Sequence, residues 1–159
     1  FKFKKKNDGQ TDMNITFNHT KSNSTKPRQI FYDNEILGLL PINEYSYNLI
    51  WSMPKNFFDQ VNKASSATLL EYLSDRVSFV TGDINKTNIH TSFPLSSRHA
   101  SSYFCENNLL IGDAAHKFHP LAGLGLNMGI EDVATLSNLL SKSNNLRGTL
   151  CDFTIMRMS

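Results

Sequence analysis

The chain has 159 residues, of which 40% are hydrophobic and 11% aromatic, enough for the core of a compact domain. Its formal net charge of +2 is too small to indicate nucleic acid as a partner. Cys105 and Cys151 are far apart and share no CxxC spacing, which argues against a disulfide scaffold or zinc knuckle and fits a reducing compartment. No segment approaches the roughly 18 apolar residues that cross a bilayer.

The first residues are polar, and the chain begins with Phe1, so we expect the natural start to lie upstream. The basic run Lys4–Lys6 predicts a solvated chain end, with a partner-binding patch as the alternative. Alternating apolar residues from Met13 to Phe17 predict a strand, and the polar segment 18–27 predicts a loop.

Three short apolar segments follow, at 29–32, 36–40 and 45–51, with turn-forming residues between them. Short strands with tight connections predict an antiparallel meander, which Pro54 closes. Apolar residues then recur at helical spacing, so the segment 55–75 predicts one or two helices.

The segment 78–99 is ambiguous and predicts a strand that ends at 93–95. The apolar run 109–111 predicts a buried strand that ends in Gly112-Asp113. After a loop with glycines, apolar residues at helical spacing predict a helix that ends within 142–148. These residues are Leu126, Ile130, Val133, Leu136, Leu139 and Leu140.

The order of strand, glycine-containing loop and helix predicts a binding site. Gly112 would let a ligand approach the backbone, and Asp113 can accept hydrogen bonds from sugar-like hydroxyl groups. The segment Gly123-x-Gly125 opens a helix whose free N–H groups favour an anion, either a phosphate or a reduced flavin ring. A tight turn between a core strand and a core helix explains the same residues, and both interpretations stay open.

The segment 109–132 (LLIGDAAHKFHPLAGLGLNMGIED) resembles the second FAD-binding motif of the FAD-dependent aromatic hydroxylases, with its GDAAH, HP and GxGxN elements. Segments 28–52 and 93–103 resemble the ubiquinone-biosynthesis branch of that family. The resemblance covers about residues 13–157 and is strongest over 93–140.

The resemblance implies a mixed α/β fold. Residues 1–104 would form part of an antiparallel-sheet substrate domain, and residues 105–159 the C-terminal part of a Rossmann-like FAD-binding domain. Asp113 would bind the ribityl chain of FAD, beside Gly112. The flavin ring would be lined by Pro120, Gly123, Gly125, Leu126 and Asn127. The catalytic residues stay unknown, because no acid or base is identified, and no metal is expected.

The implied activity is that of an FAD-dependent monooxygenase that hydroxylates a polyprenylated hydroxybenzoate in ubiquinone biosynthesis. The alternatives are a flavin hydroxylase of another phenol and a truncated, non-catalytic remnant. The branch further implies peripheral contact with the matrix side of the mitochondrial inner membrane, a ferredoxin as electron donor and a ubiquinone-biosynthesis complex as partner.

The sequence departs from the family pattern in two ways. Leu124 stands between the two glycines, where relatives of this branch usually carry glutamine. The first FAD element, a GxGxxG turn that cradles the pyrophosphate, does not occur in these residues. We therefore expect a C-terminal fragment that binds FAD weakly or not at all by itself.

The three histidines near the motif have simpler explanations than chemistry. Asp113, His116 and His119 recur every three residues, but Pro120 limits helix there, so a metal site is disfavoured. We expect His116 to pack in its loop, His119 to shape the turn, and His99 to lie on a helix surface or between domains.

Three further interpretations concern single residues. Asp132 is expected to interact with the helix dipole and to need no other role. Asn127 either touches the flavin or caps the helix. The aromatic residues Trp51, Phe57 and Phe58 are expected to be core, with the wall of a prenyl-tail pocket as the alternative.

Overall fold

The computed structural model describes residues 1–21, 26–106, 108–117 and 124–158, with only the backbone of Leu124. The chain forms two compact units. We call residues 9–95 the sheet unit, and residues 1–8 with 96–159 the terminal unit. The assignment of a substrate domain to 1–104 and of an FAD-binding part to 105–159 stays a prediction.

The sheet unit is an antiparallel meander joined to two helices. Its elements are β1 (Phe3–His19) from Gly9 on, β2 (Arg28–Phe31), β3 (Ile36–Asn43), β4 (Ser46–Pro54), α1 (Lys55–Lys63), α2 (Ser66–Thr81) and β5 (Ile84–Ala100) up to Leu95. The strands lie in the order β2-β3-β4-β1-β5, and the β2/β3, β3/β4 and β1/β4 pairs are antiparallel. The predicted meander and the strand over 13–17 are confirmed.

One face of this sheet is buried beneath the helices. Alternate residues of a strand point to the same face, so the apolar positions of β1, β3 and β4 form one continuous layer. The buried members are Met13, Ile15, Phe17, Leu37, Leu39, Tyr47, Leu49, Trp51 and Met53 from the strands, and Phe58, Val61, Leu69, Leu73 and Val77 from the helices. Phe57 packs against this cluster. The prediction that the aromatic residues 51, 57 and 58 are core is confirmed.

The other face of the sheet carries amides and hydroxyls that pair across the strands. Ser52 Oγ donates to Asp12 Oδ1 at 2.5 Å. Asn48 Nδ2 donates to Asn14 Oδ1 at 3.0 Å. This alternation of apolar and polar residues along β1 and β4 gives the sheet unit two chemically different faces.

The sequence predicts one or two helices over 55–75, and the structure has two, of which α2 extends six residues beyond Asp75. Val77 continues its buried face, and Thr81 Oγ1 donates to the Val77 carbonyl oxygen at 3.1 Å. Gly82 then ends the helix with a φ of 68°. Glycine suits this position, because a positive φ is costly for any residue with a Cβ.

Strand β5 does not end at 93–95, as predicted, but continues to Ala100. Pro94 lacks an N–H group and would interrupt a strand that has partners on both sides. In the described chain β1 lies on one side of β5, and a later strand, β8 (His116–Lys117), pairs only with Arg98 and His99 near the end of β5. Pro94 therefore lies where the strand has a free edge.

A partly buried ion pair connects Glu35, just before β3, to α2. Arg76 donates from Nε to Glu35 Oε2 at 2.7 Å and from a terminal nitrogen to Oε1 at 2.9 Å. Trp51 Nε1 donates to the same carboxylate at 2.8 Å. The Arg76 guanidinium also lies 5.1 Å from the ring centroid of Trp51 and 5.0 Å from that of Phe57. The hydrogen bond with Glu35 is the main reason that the pKa of Arg76 is raised.

The terminal unit contains short strands and two helices. Its elements are β6 (Phe104–Cys105), β7 (Asn108–Leu109), a 3-10 turn (Gly112–Ala114), β8 (His116–Lys117), α3 (Leu124–Lys142) and α4 (Leu146–Met158). Ala100, Tyr103, Ala115 and Phe153 form its buried centre. The predicted helix after the glycines is confirmed. In the described part of the chain, no helix is both long and apolar enough to span a bilayer.

One prediction for this unit is wrong. The run 109–111 is not a buried strand: β7 contains only Asn108–Leu109, its described partner is β6, and Ile111 is 38% exposed. A strand is buried on both faces only where other layers cover it, and a two-residue hairpin provides no such cover. The basic run Lys4–Lys6 is exposed to solvent, as predicted, but it lies within β1 rather than in an irregular chain end.

We predict that Arg76→Met destabilises the sheet unit by about 2 kcal/mol, because Glu35 loses both charged hydrogen bonds and stays half-buried. Trp51 is the single tryptophan, so its fluorescence during urea denaturation reports on this unit. The matched control is Lys86→Met, an exposed cation of the same unit. Equal denaturation midpoints for the two variants would contradict a structural role for the pair.

Candidate functional site

The predicted glycine motif borders an open groove in the terminal unit. The groove has a volume of about 850 Å³. It is lined by Gly112, Asp113, Gly125, Leu126, Gly129, Ile130, Val133, Ala134 and Ser137. Four of the predicted site residues, at 112, 113, 125 and 126, therefore lie together on one surface.

Close approach between the 3-10 turn and α3 shapes this groove. Gly112 has a φ of 54°, which disfavours any other residue. A Cβ added to Gly112 would lie 3.6 Å from the Cα of Gly129, and the reverse distance is the same. A Cβ on Gly125 would lie 3.3 Å from Asp113 Oδ1, so the Asp113 carboxylate is directed towards the start of α3.

A buried carboxylate holds the turn in place. Asp132 Oδ2 accepts hydrogen bonds from the Gly112 N–H and from His116 Nε2, both at 2.7 Å. Asp132 Oδ1 accepts from Arg157 Nε of α4 at 2.6 Å. The side chain of Asp132 is fully buried. It lies more than two turns into α3, so the prediction that it interacts only with the helix dipole is wrong.

These hydrogen bonds determine the charge of the buried group. Burial alone raises the pKa of Asp132, but the donors from Gly112, Arg157 and His116 outweigh it, and the pKa lies below its usual value. Burial lowers the pKa of Arg157, but its hydrogen bond with Asp132 outweighs that effect and raises it. Because an ionised carboxylate only accepts, His116 carries its proton on Nε2.

A chain of aromatic and histidine side chains continues from this centre. Tyr103 Oη lies 2.7 Å from His99 Nε2, and the ring centroids of Tyr103 and His116 are 5.4 Å apart. Burial is the main cause of the raised pKa of Tyr103. His116 is packed, as predicted, in β8. His99 lies on β5 rather than on a helix surface, because that strand is longer than predicted.

The groove suits a flat apolar ring joined to a hydroxylated chain. Its α3 wall exposes 74% of Leu126, 58% of Ile130 and 54% of Val133. The Asp113 carboxylate at one end can accept hydrogen bonds from hydroxyl groups, and the start of α3 lies beside it. An apolar wall with a few converging polar groups is the usual chemistry of a cofactor site.

Three predicted site residues are not placed at the groove. Asn127 is exposed in the first turn of α3 and does not line the groove. Pro120 and Gly123 lie outside the described residues, as does His119. Among the residues that the structure describes, no three His, Cys, Asp or Glu side chains gather as metal ligands would.

Sequence reasoning missed Asp132 and Arg157 as the pair that positions the turn. Their separation of 25 residues gives no local signal. Gly129 carried a signal, because a glycine inside an apolar helix usually marks close packing.

Comparison with known proteins points to a family. The family model described as FAD binding domain matches residues 10–149. The chain is 31% identical to the mitochondrial ubiquinone biosynthesis monooxygenase COQ6 of Xenopus tropicalis over 140 residues, covering 67% of this chain and 30% of that protein. It is 38% identical to 3-demethoxyubiquinol 3-hydroxylase of Escherichia coli (strain K12) over 66 residues, covering 42% of this chain and 17% of that protein. The chain thus spans less than a third of the length of either relative.

Among solved structures, PqsL of Pseudomonas aeruginosa, described as a probable FAD-dependent monooxygenase, has the same fold. The TM-score is 0.70 at 19% identity, over 97% of this chain and 45% of that chain. At this identity the likeness concerns the fold alone. The predicted mixed α/β class with an antiparallel sheet is confirmed.

We predict that Asp132→Asn destabilises the terminal unit by about 3 kcal/mol at neutral pH, because Arg157 and His116 lose their buried anion. The folded-state pKa of Asp132 is lowered, so its contribution is complete above the unfolded pKa of about 4 and is lost as pH falls through the folded pKa.

Urea denaturation followed by circular dichroism between pH 6 and pH 3 measures both effects. Asp152→Asn is the matched control, because that carboxylate is exposed on α4. The loss of stability on acidification should be smaller in Asp132→Asn than in the control. Identical slopes in the two variants would show that Asp132 is not the group responsible.

Proposed function

The chain belongs to the FAD binding domain family, and from that premise we propose that it forms part of a flavin-dependent monooxygenase that hydroxylates the aromatic ring of a polyprenylated hydroxybenzoate. The observation that carries the proposal is the Gly112–Asp113 turn. The Asp132 carboxylate holds this turn beside the start of α3, at the end of an apolar groove.

The residues at the groove fit FAD in chemical character. Asp113 would accept hydrogen bonds from the ribityl hydroxyls, and the φ of Gly112 brings the backbone to that position. Gly125 and Leu126 would line the flavin ring. The family resemblance adds Pro120, Gly123 and Asn127 to the same role. The start of α3 would stabilise negative charge on the ring.

When bound, FAD supplies the redox chemistry that transfers one oxygen atom of O₂ to the ring of a phenol. The chain itself supplies binding, orientation and the exclusion of water. The apolar side chains of Leu126, Ile130 and Val133 would exclude water from one wall of the site. Asp132 does not touch the groove, and it acts by fixing the backbone that Asp113 depends on.

Support for a ubiquinone precursor as substrate comes from two relatives whose names place them in ubiquinone chemistry. A flavin hydroxylase of another phenol is the second candidate, because the family model describes an FAD binding domain and specifies no substrate. A non-catalytic remnant is the third. The intact residues at 112, 113 and 125, gathered on one groove, favour a working site over a remnant.

The same branch resemblance supports the remaining proposals. The mitochondrial relative from Xenopus tropicalis supports a mitochondrial location. Peripheral contact with the matrix side of the inner membrane, a ferredoxin as electron donor and membership of a ubiquinone-biosynthesis complex are proposed from the family resemblance alone.

We expect Asp113→Asn to weaken FAD binding at least tenfold in the full protein that carries this chain, which corresponds to about 1.4 kcal/mol. The physical reason is the loss of a charge-assisted acceptor for the ribityl hydroxyls. Quenching of flavin fluorescence gives the dissociation constant. Asp152→Asn, an exposed carboxylate outside the groove, is the control. Equal affinities of the two variants for FAD would show that Asp113 does not contribute to FAD binding.

A second experiment tests the reaction itself. The full protein, reduced and supplied with ¹⁸O₂, should introduce one ¹⁸O atom into the ring of a polyprenylated hydroxybenzoate, as measured by mass spectrometry. A hydroxybenzoate without the tail is the matched control for substrate class. Equal turnover of both would favour the broader phenol hydroxylase. No label in either, despite bound FAD, would favour the non-catalytic remnant.

A further inference from the structure

Three cations lie side by side in the terminal unit, on strands that are neighbours in the order β1-β5-β8. Lys5 is on β1, Arg98 on β5 and Lys117 on β8. Arg98 and Lys117 are direct partners across the β5/β8 pair. Together with Ser96 and Asp113, the three cations line a cleft of about 330 Å³, which we call the basic cleft.

More positive charge surrounds the basic cleft. Lys4 and Lys6 border an adjoining cleft of similar size, which Lys5, Arg98 and Lys117 also line. The strand fixes the backbone of the run Lys4–Lys6, so these charges do not belong to a freely moving end. Their positions are therefore set by the fold.

Within the described ranges, none of the three cations of the basic cleft forms an ion pair, although Asp113 is among the residues that line it. The ion pairs found there use other residues, and none includes Lys5, Arg98 or Lys117. The Asp113 carboxylate is directed towards the start of α3. Like charges that lie opposite each other across a strand pair destabilise a sheet. A bound anion would remove this repulsion.

Two contacts restrict the side chain of Arg98. One terminal nitrogen donates to the Asp113 carbonyl oxygen at 3.2 Å. The guanidinium lies 5.5 Å from the ring centroid of Phe3. These two contacts reduce the rotamer freedom of the side chain, so less entropy is lost when its other N–H groups bind an oxyanion.

We propose that the basic cleft binds a phosphate group. A phosphate offers several acceptor oxygens and up to two negative charges, which match three cations and the Ser96 hydroxyl better than a single carboxylate does. The concave shape favours a small anion over the flat surface of an acidic protein. The phosphate is either free inorganic phosphate or the phosphate of a nucleotide.

The proposal does not depend on the proposed hydroxylase activity. Its readout is anion binding by the full protein that carries this chain, with flavin absent from the assay. Failure to bind FAD would contradict the proposed function. It would not contradict the binding of phosphate by the basic cleft. The same assay can then use FAD as a competitor.

The experiment measures the melting temperature and, by calorimetry, the dissociation constant for inorganic phosphate and pyrophosphate, with sodium chloride at equal ionic strength as the reference. The variants are Lys117→Gln and Lys5→Gln, and the matched control is Lys142→Gln, an exposed lysine of the same unit. Each cleft variant should weaken pyrophosphate binding at least fivefold. At low ionic strength without phosphate, the same variants should melt no lower than the wild type, because repulsion is relieved.

Weaker pyrophosphate binding together with a melting temperature that does not fall would exclude a purely structural role for Lys5 and Lys117. Replacing a lysine with a purely structural role would lower the melting temperature. ADP or FAD that displaces pyrophosphate, where adenosine does not, identifies a nucleotide as the source. Inorganic phosphate that binds while ADP and FAD do not displace it identifies free phosphate.

Equal anion binding by the cleft variants and Lys142→Gln would overturn the proposal. Binding of polyglutamate with no binding of phosphate or pyrophosphate would overturn it in favour of an acidic protein.

Discussion

The buried carboxylate of Asp132 connects four parts of the terminal unit. It receives the Gly112 N–H, His116 of β8 and Arg157 of α4, while its own backbone belongs to α3. A buried charge is costly unless its hydrogen-bonding positions are filled. Here each contact satisfies the carboxylate and also fixes an element that carries or supports the groove. The geometry at Asp113 therefore depends on residues that do not line the groove.

The sheet unit is stabilised differently. Its centre is a continuous apolar layer between a sheet and two helices, and its partly buried ion pair between Glu35 and Arg76 lies against aromatic rings. Stability there comes mainly from the area removed from water. In the terminal unit the described core is smaller, and a hydrogen-bonded charge network provides the specificity.

The sequence was most informative where local pattern decides the outcome. Alternation at Met13, Ile15 and Phe17 predicted β1, and helical spacing after Leu126 predicted α3, because both patterns place apolar residues on one face. Asp113 and Gly125 were found through a motif whose spacing is itself local. The prediction failed for Asp132, whose donors come from residues up to 25 positions away. It also failed for 109–111, because burial of a short apolar run depends on what covers it.

The exposed wall of Leu126, Ile130 and Val133 has a consequence for the protein in the cell. Open apolar patches attract chaperones and proteases and favour aggregation. If FAD covers this wall, it binds the native state alone and shifts the folding equilibrium by mass action. The resistance of the terminal unit to denaturation would then rise with the concentration of flavin.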